Sequence, residues 1–148
     1  MKSKLLKAGA ALLFGLSLVA AQPAFSAEAP EQGHKVVIQI SSGDEATQTL
    51  ALNNAVNVQT HYGPENVEVE VVAYGPGLSV LTNKNTAATR VKSLAIQGIT
   101  FSACANTMKA IEKKTGKKPE LTEGVKVVPA GVGRIIELQE QGYSYIRP

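Results

Sequence analysis

The spacing of apolar and polar residues along this chain changes period again and again. Lys35–Ser41 is a continuous β-branched apolar run, the pattern of a strand covered on both faces. Ser41-Ser42-Gly43-Asp44 turns out of it and offers capping side chains to a helix predicted over Glu45–Tyr62. That helix carries a stripe of Ala51, Ala55, Val58 and Tyr62, flanked by Leu52 and Val56. Its three asparagines, Asn53, Asn54 and Asn57, are weak helix formers. They are read either as bonding to nearby backbone or across a subunit contact, or as simply facing water. Gly63-Pro64 ends the helix, and Val67–Tyr74 is the second strand. Its first half alternates valine with glutamate, so one face there should meet solvent or a partner.

Gly75-Pro76-Gly77 is a tight turn into a short helical piece, Leu78–Leu81. A helix over Thr86–Gln97 places Ala87, Val91, Leu94 and Ala95 inward and closes at Gly98. Ile99–Met108 then reads as a buried strand running straight into a helix that continues through Ile111 to Lys114, with Asn106 or Thr107 as its cap. Beyond the polar loop Thr115–Gly124, Val125–Val128 is a fourth strand and Pro129-Ala130-Gly131 a turn. A helix from Val132 to about Gln141 carries apolar Ile135, Ile136 and Leu138. Gly142 ends it, and Tyr143–Arg147 alternates as a final strand. Strand and helix alternate throughout, so the fold class is α/β with a mainly parallel sheet. In such a sheet ligands sit at the C-terminal strand ends, which here are Ser41-Ser42, Tyr74–Gly77, Cys104–Thr107 and Pro129–Gly131.

The first residues follow a different pattern. Lys2, Lys4 and Lys7 precede the apolar run Ala8–Ala21, which is shorter than the roughly 20 residues that cross a bilayer. This predicts a cleavable secretory signal peptide over about residues 1–27, with Ser26 and Ala21 as alternative cleavage points. No cysteine lies near the cleavage region, which excludes a lipoprotein anchor. Residues 28–33 form a polar lead-in, residues 34–148 one domain, and the expected location is the periplasm or outside the cell.

Removing the leader changes the charge. The whole chain has 15 Lys and Arg against 12 Asp and Glu. The three leader lysines account for the excess, so the remainder is near neutral, which argues against nucleic acid as a partner. Lys113, Lys114, Lys117 and Lys118 gather at one helix C-terminus, where they complement its dipole as a solvated end.

The chain has a single cysteine, Cys104, at the seam between strand and helix. It cannot form an internal disulfide. In an oxidising compartment such a thiol is buried, paired between chains, or kept for its reactivity. A helix N-terminus favours thiolate over thiol, and the backbone N–H groups of Ala105, Asn106 and Thr107 would stabilise the anion. Gly75, Pro76 and Gly77 allow close backbone approach to a ligand, although the turn matches neither a dinucleotide fingerprint nor a P-loop. Ser42 completes the candidate rim. His34 and His61 are read as surface histidines. One cysteine and two distant histidines do not make a metal site, and neither metal nor cofactor is expected.

Four segments, in order, resemble the DsrE/DsrF-like family (the DsrE/TusD-type sulfur-relay superfamily). They are Ala51–Asn57, Val71–Leu78, Phe101–Met108 and Val127–Pro148. The resemblance implies a three-layer α/β/α domain of the DsrEFH-like, flavodoxin-like topology class, with five strands, assembled as a trimer or hexamer. It also implies that Cys104 matches the cysteine that carries sulfur as a persulfide in relay members. Two departures stand out: Tyr74 where histidine often precedes Gly-Pro-Gly, and Arg134 where an acidic residue is expected early in the last helix.

The expected function is therefore that of a sulfur carrier, related to sulfurtransferases. It would hold sulfane sulfur on Cys104 and pass it to a thiol or protein acceptor. The competing expectation is a non-catalytic oligomeric module that binds a ligand or supports assembly, with Cys104 as a buried core residue.

Overall fold

The computed structural model describes residues 33–148, so the expected leader and all of the lead-in but Gly33 lie outside the described residues. Five strands alternate with helices in the order β1 (His34–Ile40), α1 (Glu45–Tyr62), β2 (Val67–Ala73), a 3-10 segment (Gly75–Leu81), α2 (Ala88–Ile96), β3 (Thr100–Cys104), α3 (Ala105–Thr115), β4 (Val125–Val128), α4 (Gly131–Glu140) and β5 (Ser144–Ile146). Every strand pairing is parallel, and the sheet order is β4-β3-β2-β1-β5.

That order dictates the layers. The first four strands are laid down side by side, and their connections pack on one face. There Val36, Ile38, Ile40, Val69, Val71, Phe101 and Ala103 meet Ala51, Leu52 and Ala55 of α1, Val91 and Leu94 of α2, and Met108 of α3. Leu78, Val80 and Leu81 of the 3-10 segment complete this core. After β4 the chain must return to the opposite edge, beyond β1. It does so through α4, which among the described residues is the one helix on the other face of the sheet, packing Ile135 and Leu138 on Val37 and Val72. Alternate side chains of a strand point to opposite faces, so neighbours such as Val71 and Val72 serve different cores.

The boundaries of α1 and β4 coincide with those the sequence predicts. Asp44 caps α1, its carboxylate accepting from the Thr47 N–H at 2.7 Å and from the Thr47 hydroxyl at 2.8 Å. The Thr47 N–H, the largest influence, holds that carboxyl below its ordinary value.

Several expectations are corrected. The predicted cap of the cysteine helix is neither Asn106 nor Thr107: Cys104 itself is the N-cap of α3, with no side-chain capping bond. The glutamates of β2 do not share one exposed face. Glu68 is exposed, whereas Glu70 is buried under α4 because Arg134 pairs with it. Of the α4 apolar residues, Ile136 faces outward. On α1, Tyr62 is exposed while the uncounted Gln48 is buried, its amide bonding the Ser42 carbonyl at 3.0 Å and the Ser79 hydroxyl at 2.9 Å. Asn53 accepts from Arg90 of α2 at 2.7 Å and so ties two helices together.

Candidate functional site

Neighbouring strands β3 and β4 send their chains to opposite faces of the sheet, β3 into α3 and β4 into α4. A divergence of this kind opens a crevice between two C-terminal strand ends, the place where open parallel sheets bind ligands. Cys104 lies at that point. It is the last residue of β3, aligned with Val128 at the end of β4. On its other side β2 ends at Ala73, in register with Ala103, so Tyr74 and Gly75 follow directly alongside.

Cys104 as a residue is 5% exposed. Burial, the largest single influence, raises its pKa. The nearby Thr107 hydroxyl and the backbone N–H groups of Gly131, Thr107 and Asn106 outweigh it, although none closes a side-chain cap on Cys104. Together they hold the thiol below its ordinary value and favour thiolate. The Thr107 hydroxyl accepts the Gly75 N–H at 2.9 Å, which leaves its one proton to point at sulfur. A donor polarised in this way is a better donor.

The predicted site residues separate into two groups. Cys104, Thr107 and the Asn106 backbone come together, and Gly75 joins them through Thr107. Ala105 occupies the first turn of α3 but is not among the donors that lower the thiol, and the Asn106 side chain faces solvent. Gly77 serves the fold: a Cβ there would stand 2.3 Å from the Ile40 carbonyl oxygen, so its close approach is to β1 and not to a ligand. Pro76 packs across Gly43. Ser42 belongs to the loop that caps α1, where its hydroxyl accepts the Asp44 N–H at 3.1 Å. It lies two strands away from Cys104, about 10 Å across the sheet.

Pattern reading missed the part that α4 plays. Gly131 opens that helix and packs so tightly on Tyr74 that an added Cβ would stand 2.9 Å from the Tyr74 ring. The signal was Pro129-Ala130-Gly131 before a helix. The sheet order, which puts β4 beside β3, was needed to bring it to the cysteine. A cleft of about 420 Å³ adjoins Thr107, lined by Gly75, Pro76, Leu78, Ile111 and Lys114 among others. A second cleft of about 420 Å³ lies around His34 and Tyr62, at the start of β1. The His34 and Tyr62 rings stack there with centroids 3.7 Å apart, roughly 20 Å along the strands from the rim.

An all-parallel α/β/α domain with one thiol at the switch point of its sheet defines the class of protein. The DsrE/DsrF-like family model matches residues 34–148, and the chain belongs to that family. Among solved structures it is similar to MTH1491 from Methanobacterium thermoautotrophicum, described as a protein of unknown function. The two are 38% identical with a TM-score of 0.70, over 78% of this chain and 99% of that one. It is also similar to the ychN protein from E. coli, at 12% identity and a TM-score of 0.62 over 78% of this chain and 99% of that one, a likeness of fold. No curated protein matches the chain.

Proposed function

We propose that this chain is an exported sulfur carrier, related to sulfurtransferases, that holds sulfane sulfur as a persulfide on Cys104. The observation that carries this reading is the place of Cys104 at the sheet's switch point, as the N-cap of α3 and beside Thr107, which the Gly75 N–H holds at 2.9 Å. Family membership supports a sulfur-relay role. The Cys104 thiolate attacks the outer sulfur of a donor persulfide. A bond forms between Sγ and that sulfur, the donor's S–S bond breaks, and the donor leaves as a thiolate. The proton on the transferred sulfur stays with it, and no external oxidant is needed. Release to an acceptor thiol runs the same exchange in reverse. Thr107, Asn106 and Gly131 hold negative charge at Sγ before attack and after release. Relay between thiols needs no general base, which suits a rim without histidine.

Export rests on the basic and apolar pattern of residues 1–27, and we place the mature protein in the periplasm or outside the cell. We also propose a homotrimer or homohexamer. Among the described residues α4 is the one helix on the second sheet face, and its Val132 and Ile136 are 53% and 52% exposed. Sedimentation of the mature chain tests this, and a monomer at every concentration would contradict it.

The test of function is intact-mass spectrometry after incubation with polysulfide, with Cys104→Ser in parallel. The expected result is a gain of one sulfur, reversed by reductant and absent in the variant. One observation favours a second reading: at 5% exposure, Cys104 fits an assembly module in which the thiol is core. An unchanged mass, with a thiol that reacts only after unfolding, would establish that reading instead.

A further inference from the structure

The charged cluster under α4 is not used by the chemistry above, and an explanation in terms of stability alone is weak. Arg134 donates from Nε to Glu70 Oε1 at 2.9 Å and from Nη2 to Oε2 at 2.8 Å, a bidentate pair. The Ser102 hydroxyl donates to the same Glu70 Oε1 at 2.7 Å. Glu70 and Ser102 are buried. Desolvation, the largest influence, pushes the Glu70 carboxyl up. The Arg134 and Ser102 hydrogen bonds, the Arg134 charge and the Lys126 charge together bring it below its ordinary value. Replacing such a pair with apolar side chains is often neutral for stability, so what the pair adds is a fixed orientation.

The orientation it fixes is that of the α4 N-terminus. The N-cap residue Ala130 makes no side-chain capping bond. The first turn is closed by the Arg134 N–H on the Ala130 carbonyl at 2.9 Å, and Gly131 lies within that turn. The same residue therefore closes the turn through its backbone and grips β2 through its guanidinium. Ser102, the third member, precedes Cys104 by two residues on β3.

The geometry points to Glu70, Ser102 and Arg134 as positioning residues for Cys104, clamping α4 so that its first turn, which opens at Gly131 against Tyr74, stays beside the end of β3 that carries the sulfur. This rests on the reading of Cys104 as a working thiolate, and it assigns a purpose to Arg134, the residue that departs from the family pattern. Among the described residues the one other side chain on the Arg134 guanidinium is Glu137, from the outer side at 3.5 Å.

The test uses the isotope-labelled protein and follows two signals by NMR: the pH titration of the Cys104 Cβ shift and the exchange of the Gly131 amide. The variant Glu70→Gln/Arg134→Met leaves no buried charge unpaired and keeps an acceptor for Ser102. In it the thiol midpoint should rise by about one pH unit, leaving about tenfold less thiolate below both midpoints. The Gly131 amide should exchange at least ~10-fold faster, while the Ile135 and Leu138 amides keep their protection. Arg134→Lys, which retains charge without the fork, should fall between. Glu137→Gln should change neither signal. A Gly131 amide that exchanges as in the wild type overturns the inference, whatever the thiol does. A wild-type thiol with an ordinary midpoint, beside a Gly131 amide that responds, overturns the carrier reading instead.

Discussion

The two faces of the sheet are built on different principles. One is an apolar core shared by three helices and a 3-10 segment, centred on side chains such as Phe101, Ile38 and Leu78 that are fully buried. The other has, among the described residues, a single helix, four buried apolar residues, and the hydrogen-bonded Glu70, Arg134 and Ser102 in place of further hydrophobic contact. The first face accounts for most of the stability, because burial scales with apolar area. The second carries little apolar burial but sets the angle at which α4 meets the sheet, and that helix starts at Gly131, just past the strand end beside Cys104. The candidate site draws on both faces: Cys104 and Thr107 belong to the apolar side with α3, and Gly131 comes from α4 on the other.

This contrast can be broken at several points. Phe101→Ala removes the largest fully buried side chain of the apolar face and should cost about 3–5 kcal/mol in urea unfolding. A cost below ~1 kcal/mol would show that this face is not the main core. Arg134→Ala should cost about 3 kcal/mol, because Glu70 is left charged and buried, whereas Glu70→Gln/Arg134→Met should lie within ~1 kcal/mol of wild type. If the two variants were equally unstable, the triad would be packing and not orientation. Acid provides a milder probe. The folded Glu70 carboxyl is held below its ordinary value, so its contribution is full above the unfolded carboxylate pKa of about 4.3 and is lost as pH falls through the lower folded value. Wild type should lose stability over that acid window more steeply than Glu70→Gln/Arg134→Met in pH-dependent melts, and parallel curves would contradict the pairing. Asn53→Ala, which cuts an exposed tie between α1 and α2, should change stability by no more than ~0.5 kcal/mol.

What could be read from the chain follows the range of the interactions. The bounds of α1 were legible because its Asp44 cap and terminal Gly63 are local signals, and β4 because it is a bounded apolar run. The cysteine at a strand-to-helix seam was legible for the same reason. The fate of Glu70 was not: its partner Arg134 is 64 positions away, and alternation with valine is what an exposed glutamate would also show. Pro129–Gly131 was recognised as part of the rim. That it faces Cys104 follows only from the placing of β4 beside β3, which no local pattern encodes. Ser42 was assigned to the same rim for a good local reason, the end of a strand, and the sheet order separates it from the thiol.

A working sulfur carrier needs Cys104 to be a thiolate that a reactant can reach in the folded protein. The direct measurement is the rate of alkylation of the native chain by iodoacetamide as a function of pH, beside the unfolded chain. The account predicts reaction in the folded state with a midpoint below the ordinary thiol value of about 8.5. A thiol that reacts only at the rate of global unfolding, with no midpoint of its own, would contradict it.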